Sequence, residues 1–376
     1  MSRIVFDAQI STAATKVLEA NLNVFNTASR GAIVAGAGDF LGDYLERVMW
    51  AAQQMVSRRN AYGSGKVSAT ELQQILERAV KVDQRVGPLK VTGAIMDRLG
   101  KNNQEAAAVM GTQVAQQLIQ DQIDVVVGTL LAATPAELTY DFSSIATGIP
   151  NLKQIAKSLR LMGDAYQRIV VQIMSGASYN DMIVEGNMGN MEKLFTIDNL
   201  MIMQSPLGQT FLVTDAMGLD TIEGTGADAK SKQRVLSLQA GAAVVQTNPM
   251  VMRTQDILGE ENLATLIQGE THFNLGLKGY AYVGKSNALG LGEKATSPTP
   301  ATEQTDNTTA ITADPGTAGT STSAGSASPV NATLFAKTSW KVADPRWKPT
   351  AGKPLTGGTL DAAKGLAGVV AVFGDK

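Results

Sequence analysis

The sequence contains no cysteine and only one histidine, His272, among its 376 residues. Without cysteine the chain can form no disulfide, no catalytic thiol and no cysteine-ligated zinc site. A single histidine argues against a histidine-based metal site and against a serine–histidine–aspartate triad, because general-base catalysis needs partners within reach. We therefore interpret His272 as a structural residue and expect a protein that is not an enzyme, with no cofactor and no metal.

The chain also lacks an excess of charge of one sign, because it contains 32 lysines and arginines and 34 aspartates and glutamates. A general polyanion binder needs a basic face that releases counterions, and this balance does not suggest one. No run of about 18 apolar residues predicts a membrane span. The N terminus lacks a basic region followed by an apolar core, so no signal peptide is predicted and the expected compartment is cytoplasmic.

One stretch matches a nucleotide-binding motif letter for letter. Gly279 to Ser286 fits the phosphate-loop pattern G-x-x-x-x-G-K-[ST]. A phosphate loop follows a strand and opens a helix whose N terminus binds phosphate. This stretch is itself rich in β-forming residues, and the glycines at 290 and 292 make a poor start to a helix. We predict a strand ending in a turn, and a nucleotide-binding enzyme using Lys285 remains an alternative.

Helical periodicity is strongest in the first half of the chain. An apolar stripe predicts one long helix from Asn103 to about Ala133, on the order of 45 Å at ~1.5 Å per residue. A short helix is predicted within residues 1–35, which cannot form a core alone and should pack on something else. The capping box Ser68–Glu71 predicts a helix to about Lys81, ended by Val86-Gly87-Pro88.

The stretch from Gln167 to Gly224 is the most informative. A β-branched strand, Ile169–Met174, is followed by the small-residue break Ser175–Ser178, a helix to Val184 and a second strand, Gln209–Asp215. This order is typical of a compact α+β unit, and no acid, base or nucleophile cluster accompanies it. A further helix is predicted to open at Asn151. Two further strands, Arg234–Val245 and Phe273–Val283, are predicted to return towards the long helix.

The order of these segments resembles the axial domain of tailed-phage major capsid proteins, which share the HK-ninety-seven fold. In that family a strand, a small polar turn and a tyrosine-containing helix precede a strand with the pattern Leu-Gly-x-x-φ-φ-Val-x-Asp, which here is Leu207 to Asp215. Met174 stands where such relatives often carry histidine. No single motif is diagnostic, and the resemblance rests on the order of segments over nearly the whole chain.

The resemblance implies an α+β shell subunit divided into seven segments. Residues 295–333 contain no lysine, arginine or aromatic residue, a composition that predicts a disordered or mobile insertion. The expected segments are an N-terminal arm (1–35), an extended loop (36–90), a peripheral domain with a spine helix (91–144), an axial domain (145–270), a strand returning to the peripheral domain (271–294), the insertion (295–333) and a C-terminal segment docking on the body (334–376).

The resemblance also implies the assembly. Subunits would form hexamers and pentamers that tile the icosahedral capsid of a virion, assembled in the host cytoplasm without a membrane. The shell would enclose double-stranded DNA bound without sequence specificity, with scaffold, portal and cement proteins as further candidate partners. An encapsulin-like, non-viral shell protein is the other alternative.

Four basic residues of the extended loop are candidates for contact between subunits. Relatives carry paired arginines near the loop tip and a Val-Lys…Arg-φ-Gly-Pro return, which here are Arg58 and Arg59, and Lys81 and Arg85. Asn60 stands where an acid would be expected after the pair. The resemblance implies ion pairing with a neighbouring subunit, and the alternative is a solvated charged face.

Overall fold

The chain folds around two mixed β-sheets with helices between and outside them. A computed structural model describes residues 3–38, 42–50, 61–66, 73–92, 103–143, 149–185, 192–197, 200–205, 209–223, 230–257, 264–284, 334–351 and 353–374. The α-helices of this part are α1 (Arg3–Ala28), α2 (Asn103–Ala133), α3 (Leu152–Ser158), α4 (Gly176–Val184) and α5 (Gly357–Lys364). Short 3-10 segments cover Ala136–Leu138, Leu159–Arg168 and Lys337–Ser339.

The strands of the described residues belong to two sheets. In chain order they are β1 (Ile33–Ala37), β2 (Tyr44–Trp50), β3 (Gln74–Thr92), β4 (Thr139–Asp141), β5 (Ile169–Met174), β6 (Glu192–Ile197), β7 (Leu200–Gln204), β8 (Thr210–Val213), β9 (Asp220–Glu223), β10 (Lys230–Gln239), β11 (Ala243–Thr247), β12 (Val251–Ile257), β13 (Ala264–Leu277), β14 (Tyr280–Tyr282), β15 (Trp340–Val342) and β16 (Gly368–Gly374). The first sheet has the order β1-β11-β13-β3-β14-β15, with β12 beside β13 and β2 beside β3. The second has the order β4-β16-β10-β5-β8-β7-β6, with β9 beside β10.

Helix α2 is the long helix that the apolar stripe predicts, and it begins and ends where expected. Its N-terminal half packs Val114 and Leu118 with Met252 and Ile267 of the first sheet. Its C-terminal half joins the main core, which contains residues of both sheets. One continuous stripe can therefore serve two lobes, because a 31-residue helix spans more than the width of a single sheet.

Helix α1 differs from the predicted arm. It runs for 26 residues and packs along α2 of its own chain, with Phe25 fully buried in the main core. The two helices approach so closely that a Cβ at Gly111 would lie 2.9 Å from the Cβ of Ala13. The expectation that residues 1–35 need a partner to pack on is therefore met within the subunit, because α2 presents a complementary apolar face.

The predicted helix ending near Lys81 is wrong for the residues that the structure describes. Residues 74 onward form β3, which pairs with β2 on one side and with β13 on the other. Val80 and Val82 are buried, and the half-buried Lys81 and exposed Asp83 alternate with them, as a strand requires. Val86-Gly87-Pro88 accordingly lies inside a strand, at a register shift against β13, and ends no helix.

Two other predicted strands are each divided. Arg234–Val245 contains parts of β10 and β11, which belong to different sheets and are separated by a turn with Gly241 at φ +68°. Phe273–Val283 contains the end of β13 and all of β14. The C-terminal segment also does more than dock on the body, because β16 lies inside the second sheet between β4 and β10. The 295–333 insertion lies outside the described residues.

Candidate inter-subunit surface

Strands β2 and β3 form an antiparallel ribbon that extends from the first sheet. The register runs from Tyr44 opposite Val80 to Trp50 opposite Gln74. Strand β13 accompanies β3 only from Val80 onward, and β14 pairs with β3 at Arg78. Within the described residues the ribbon therefore has two strands only over its outer part, residues 74–77 of β3 with their partners in β2. A two-stranded ribbon is only marginally stable in water by itself. The ribbon therefore needs a further surface against which to pack.

The outer face of this ribbon is apolar and exposed. Val48 is 61% exposed, and Leu76, which lies opposite it in the ladder, is 41% exposed. Trp50 lies on the same face and is 63% exposed. Cross-strand apolar pairs of this kind are normally covered by a third layer. We call Val48, Trp50 and Leu76 the ribbon patch.

The base of the ribbon is tied firmly to its own subunit. The Glu77 carboxylate accepts a hydrogen bond of 2.6 Å from the backbone N–H of Gly279. Burial raises the pKa of Glu77, opposed by that hydrogen bond and by the charges of Arg47 and Lys278. Arg78 pairs with Glu46 across the strands at 2.6 Å, but both are exposed and such a pair stabilises little. The base is therefore anchored to its own subunit, and the exposed outer end is the part that a neighbour could contact.

The four basic candidates lie in different settings. Arg58 and Arg59 lie outside the described residues. The Lys81 ammonium lies 3.2 Å from the Asp83 carboxylate, so this lysine is paired within its own chain. Arg85 is exposed and stands opposite Glu270 of β13 in the register. Of the two described candidates, Arg85 is the one whose surroundings leave it open to a neighbouring subunit.

Arg85 also lines a groove with a volume of about 1070 Å³. The groove lies between β3, β13 and the N-terminal half of α2. Its walls carry charges of both signs, from Lys81, Arg85, Asp121 and Glu270. His272 also lies in the wall. A groove of mixed charge suits a peptide segment of a second subunit better than a small apolar ligand.

Sequence reasoning did not single out the ribbon patch. The predicted helix from Ser68 to about Lys81 would place Leu76 on its apolar face, and no prediction concerned Val48. The available signal was Trp50, a large aromatic residue close to the glycine-containing tip at Gly63 and Gly65. Only the strand pairing places Val48, Trp50 and Leu76 on one exposed face.

The phosphate-loop match is a strand and a turn over the residues that the structure describes. Tyr280 and Tyr282 are buried, and their strand pairs with β3 and β15. Gly279 has φ +80°, and a Cβ there would lie 2.7 Å from Leu366. The segment is therefore packed into the core and cannot wrap a phosphate. Lys285 and Ser286 lie outside the described residues.

The second sheet contains the predicted strand–helix–strand unit, which explains the aspartate at its end. Strands β5 and β8 are parallel neighbours, and α4 follows β5 directly. The Asp215 carboxylate accepts a hydrogen bond of 2.9 Å from the backbone N–H of Gly176, at the start of α4. Ser175 caps the helix and donates to Asp220 at 2.9 Å. Asp215, which ends the Leu207–Asp215 stretch, is therefore hydrogen-bonded to the small-residue turn between β5 and α4.

A line of carboxylates connects this unit to α2. Burial raises the pKa of Asp124 to about 6, reinforced by the charges of Asp121 and Asp215 and opposed by a hydrogen bond from Gln120. The Gln120 amide also lies 3.3 Å from the Thr214 hydroxyl, bridging the helix and the second sheet. In the described part of the chain no group of three or more histidine, aspartate or glutamate side chains could hold a metal ion. The charges of Asp121 and Asp215 disfavour ionisation of Asp124, so the contacts among these carboxylates are repulsive.

Replacing Asp124 with asparagine should stabilise the protein at neutral pH. A carboxyl whose pKa rises from 3.8 to about 6 on folding binds its proton more tightly in the folded state, so stability falls as pH rises between these values. Asparagine keeps an acceptor for Gln120 and removes the charge. We expect a gain of about 1 kcal/mol above pH 6, discounted for solvent screening, and none below pH 4.

The measurement is the free energy of unfolding in urea from pH 4 to pH 8 for the wild type and Asp124→Asn. Asp121→Asn is the companion variant, because removing a neighbouring charge should shift the pH dependence of the wild type towards lower pH. An equal pH dependence in the wild type and Asp124→Asn would contradict the assignment.

The family of the chain is established by comparison with known proteins. A family model described as major capsid protein 13-like matches residues 3–312. No curated protein matches the chain in sequence. Within the described residues, no helix has the length and apolar character needed to cross a membrane.

Comparison with solved structures finds similarity to proteins of several phages. The chain is similar to a structure of Mycobacterium phage Cain with 14% identity, 68% of this chain and 85% of that chain covered, and a TM-score of 0.43. A structure of Microbacterium phage Oxtober96 is 11% identical, with 66% of this chain and 84% of that chain covered and a TM-score of 0.42. The Cyanophage Pam1 capsid asymmetric unit is 13% identical, with 64% of this chain and 82% of that chain covered and a TM-score of 0.41.

TM-scores below 0.5 mean that the whole chains do not superpose closely, and the assignment rests on the family model. That model covers well over half of the chain. The chain belongs to the major capsid protein 13-like family, and it is accordingly a structural subunit of a phage head and not an enzyme.

Proposed function

We propose that the subunit uses the β2–β3 ribbon to assemble into hexamers and pentamers, which close an icosahedral head around double-stranded DNA in the host cytoplasm. The observation that carries this proposal is the ribbon patch. Val48 and Trp50 are more than 60% exposed on a two-stranded element that has no layer over its outer face in the described residues. A neighbouring subunit would supply that layer.

The energy of such a contact is modest for one subunit and large for a shell. Full burial of a large apolar side chain contributes about 1.5–3 kcal/mol. Every ring repeats the contact once per subunit, so a small change in each contact decides whether rings form. Arg85, and Arg58 and Arg59 beside the tip, would add charge-assisted hydrogen bonds to carboxylates of the neighbour.

In this proposal the segments have the roles that the resemblance implies, with bounds that follow the two sheets. The first sheet with α2 is the peripheral domain, including β11 and β12 from the expected axial segment 145–270, and its β2–β3 ribbon belongs to the extended loop. The second sheet with α3 and α4 is the axial domain, which would face the centre of each ring. Packaged DNA, together with any portal or scaffold protein, belongs to the same proposal.

The test is a double variant of the ribbon patch, Val48→Ser with Trp50→Ser. Both side chains are already exposed, so the isolated fold should lose less than about 1 kcal/mol. We expect folded, soluble subunits that form neither rings nor shells. Light scattering after gel filtration and negative-stain electron microscopy measure assembly, and thermal unfolding followed by circular dichroism measures the fold.

Met217→Ser is the matched control, because Met217 is 66% exposed on a turn of the second sheet's lobe, away from the ribbon. It should assemble like the wild type. Normal shells from the ribbon double variant would place the assembly contacts elsewhere.

A further inference from the structure

A row of three cations lies on one exposed helical face of the second sheet's lobe. Lys153, Lys157 and Arg160 follow the spacing i, i+4 and i+7, which places them on the same side of a helix. Helix α3 begins after Asn151, whose side chain caps it, and continues into the 3-10 segment that contains Arg160. All three residues are exposed, whereas Ile155 on the opposite side is buried.

In the described part of the chain, acidic side chains do not neutralise these cations. Among the described residues none of the three has a carboxylate oxygen within 4 Å. The nearest acid in sequence, Asp164, is held at 2.8 Å by Lys364. Residues 152–168 contain four cations and one acid, a net charge of +3, in a chain whose total is −2. The near-neutral total therefore conceals a local basic surface.

The location separates this surface from the ribbon. Ile155 packs with Phe142, Phe211 and Phe373 on one face of the second sheet. The alternating residues of the same strands, such as Leu212 and Val372, belong to the main core that contains the C-terminal half of α2. The cation row therefore lies on the side of the second sheet away from α2, on a different element from the ribbon patch.

The chemistry favours a phosphate backbone over the carboxylates of a neighbouring subunit. Carboxylates are best matched by the planar fork of arginine, whereas two of these three residues are lysines, which act as point charges towards phosphate. Seven residues of helix span about 10 Å at ~1.5 Å each, and a row of cations suits the regular charge along a DNA strand. No aromatic residue lies between Lys153 and Arg160, so the row itself offers no ring on which a base could stack. The exposed Tyr166 follows six residues after Arg160.

We propose that Lys153, Lys157 and Arg160 bind the phosphate backbone of packaged double-stranded DNA, so that this face of the second sheet lines the interior of the head. This inference rests on the proposed function, because DNA is the polyanion that the head would enclose. The contact is independent of sequence and depends on salt. Each phosphate contact contributes about 0.9 to the slope of log K against log salt, so three contribute about 2.7 per subunit.

The experiment compares the full-length wild type with the triple variant Lys153→Gln, Lys157→Gln and Arg160→Gln. Binding of a short random-sequence DNA duplex is measured by fluorescence anisotropy between about 50 and 200 mM salt. The triple variant should bind at least tenfold more weakly, with a slope shallower by about 2.7. The control, Lys337→Gln, Lys341→Gln and Lys348→Gln, changes the net charge equally at exposed positions and should bind like the wild type.

Assembly is measured in the same samples by electron microscopy. This measurement separates a failure of the proposed function, which is shell assembly, from a failure of the proposed DNA binding. Failure of the wild type to form rings or shells would refute the proposed function. Shells that form normally, together with DNA binding that is absent in the wild type or unchanged in the triple variant, would refute only the DNA-binding row. Loss of assembly with unchanged DNA binding would show that the three cations bind a neighbouring subunit, which also overturns the inference.

Discussion

Replacing Gly368 with alanine is expected to prevent stable folding. A Cβ at this position would lie 2.0 Å from the carbonyl oxygen of Ser237 and 3.2 Å from the Cα of Leu238. Both contacts are with the backbone of β10, which pairs with β16 inside the second sheet. A backbone cannot rotate out of the way as a side chain can, so the two strands would have to separate. We expect a loss of more than about 4 kcal/mol, beyond ordinary overpacking.

The matched control is Gly36→Ala in β1, where a new Cβ would meet nothing within 4 Å. Its free energy of unfolding in urea should change by no more than about 0.5 kcal/mol. Soluble yield and circular dichroism provide the readout for a Gly368 variant that does not fold. A Gly368→Ala protein within about 1 kcal/mol of the wild type would show that β10 shifts freely, contrary to its central position.

Replacing Trp340 with alanine should cost about 3–5 kcal/mol, the usual penalty for a large buried aromatic side chain. Trp340 is only 5% exposed and lies edge-on to Tyr282, with ring centroids 5.1 Å apart. Its indole N–H donates a hydrogen bond of 2.9 Å to the carbonyl oxygen of Leu334. The variant would leave both a cavity and an unpaired buried carbonyl.

The other two tryptophans of the chain provide a graded comparison. Trp347 is partly buried against the main core, and Trp50 is exposed on the ribbon patch. The loss of unfolding free energy should therefore decrease from Trp340→Ala to Trp347→Ala and be smallest for Trp50→Ala. Circular dichroism is the appropriate probe, because each substitution changes the fluorescence. Equal losses at Trp340 and Trp50 would contradict the burial that separates them.

Elements with a strong local pattern could be predicted from the sequence. Helix α2 has a 31-residue apolar stripe, and β5 and β8 are short runs of β-branched and aromatic residues. The α+β class is confirmed by these elements, and membership of a capsid protein family is confirmed by the family model. In each case the residues that decide the structure are close together in the sequence.

Elements that depend on distant partners could not be predicted. Leu72, Ile75, Leu76 and Ala79 have helical spacing, yet the described part of this stretch is the strand β3. Pairing with β2 and β13 on both sides supplies backbone hydrogen bonds that local periodicity cannot anticipate. The C-terminal strand β16 was missed for a related reason, because its partners, β4 and β10, lie far away in the chain.

By itself the sequence excluded thiol chemistry, and it determined one long helix and an order of segments that resembles that of a capsid subunit. Only the tertiary structure decided which surfaces are free to bind. Val48 and Trp50 are as apolar as many core residues, and Lys153 is as charged as the paired Lys81. The exposed Val48 and Trp50 differ from core residues in having no layer over them, and Lys153 differs from Lys81 in having no carboxylate beside it among the described residues. Strand register and helix packing decide both differences.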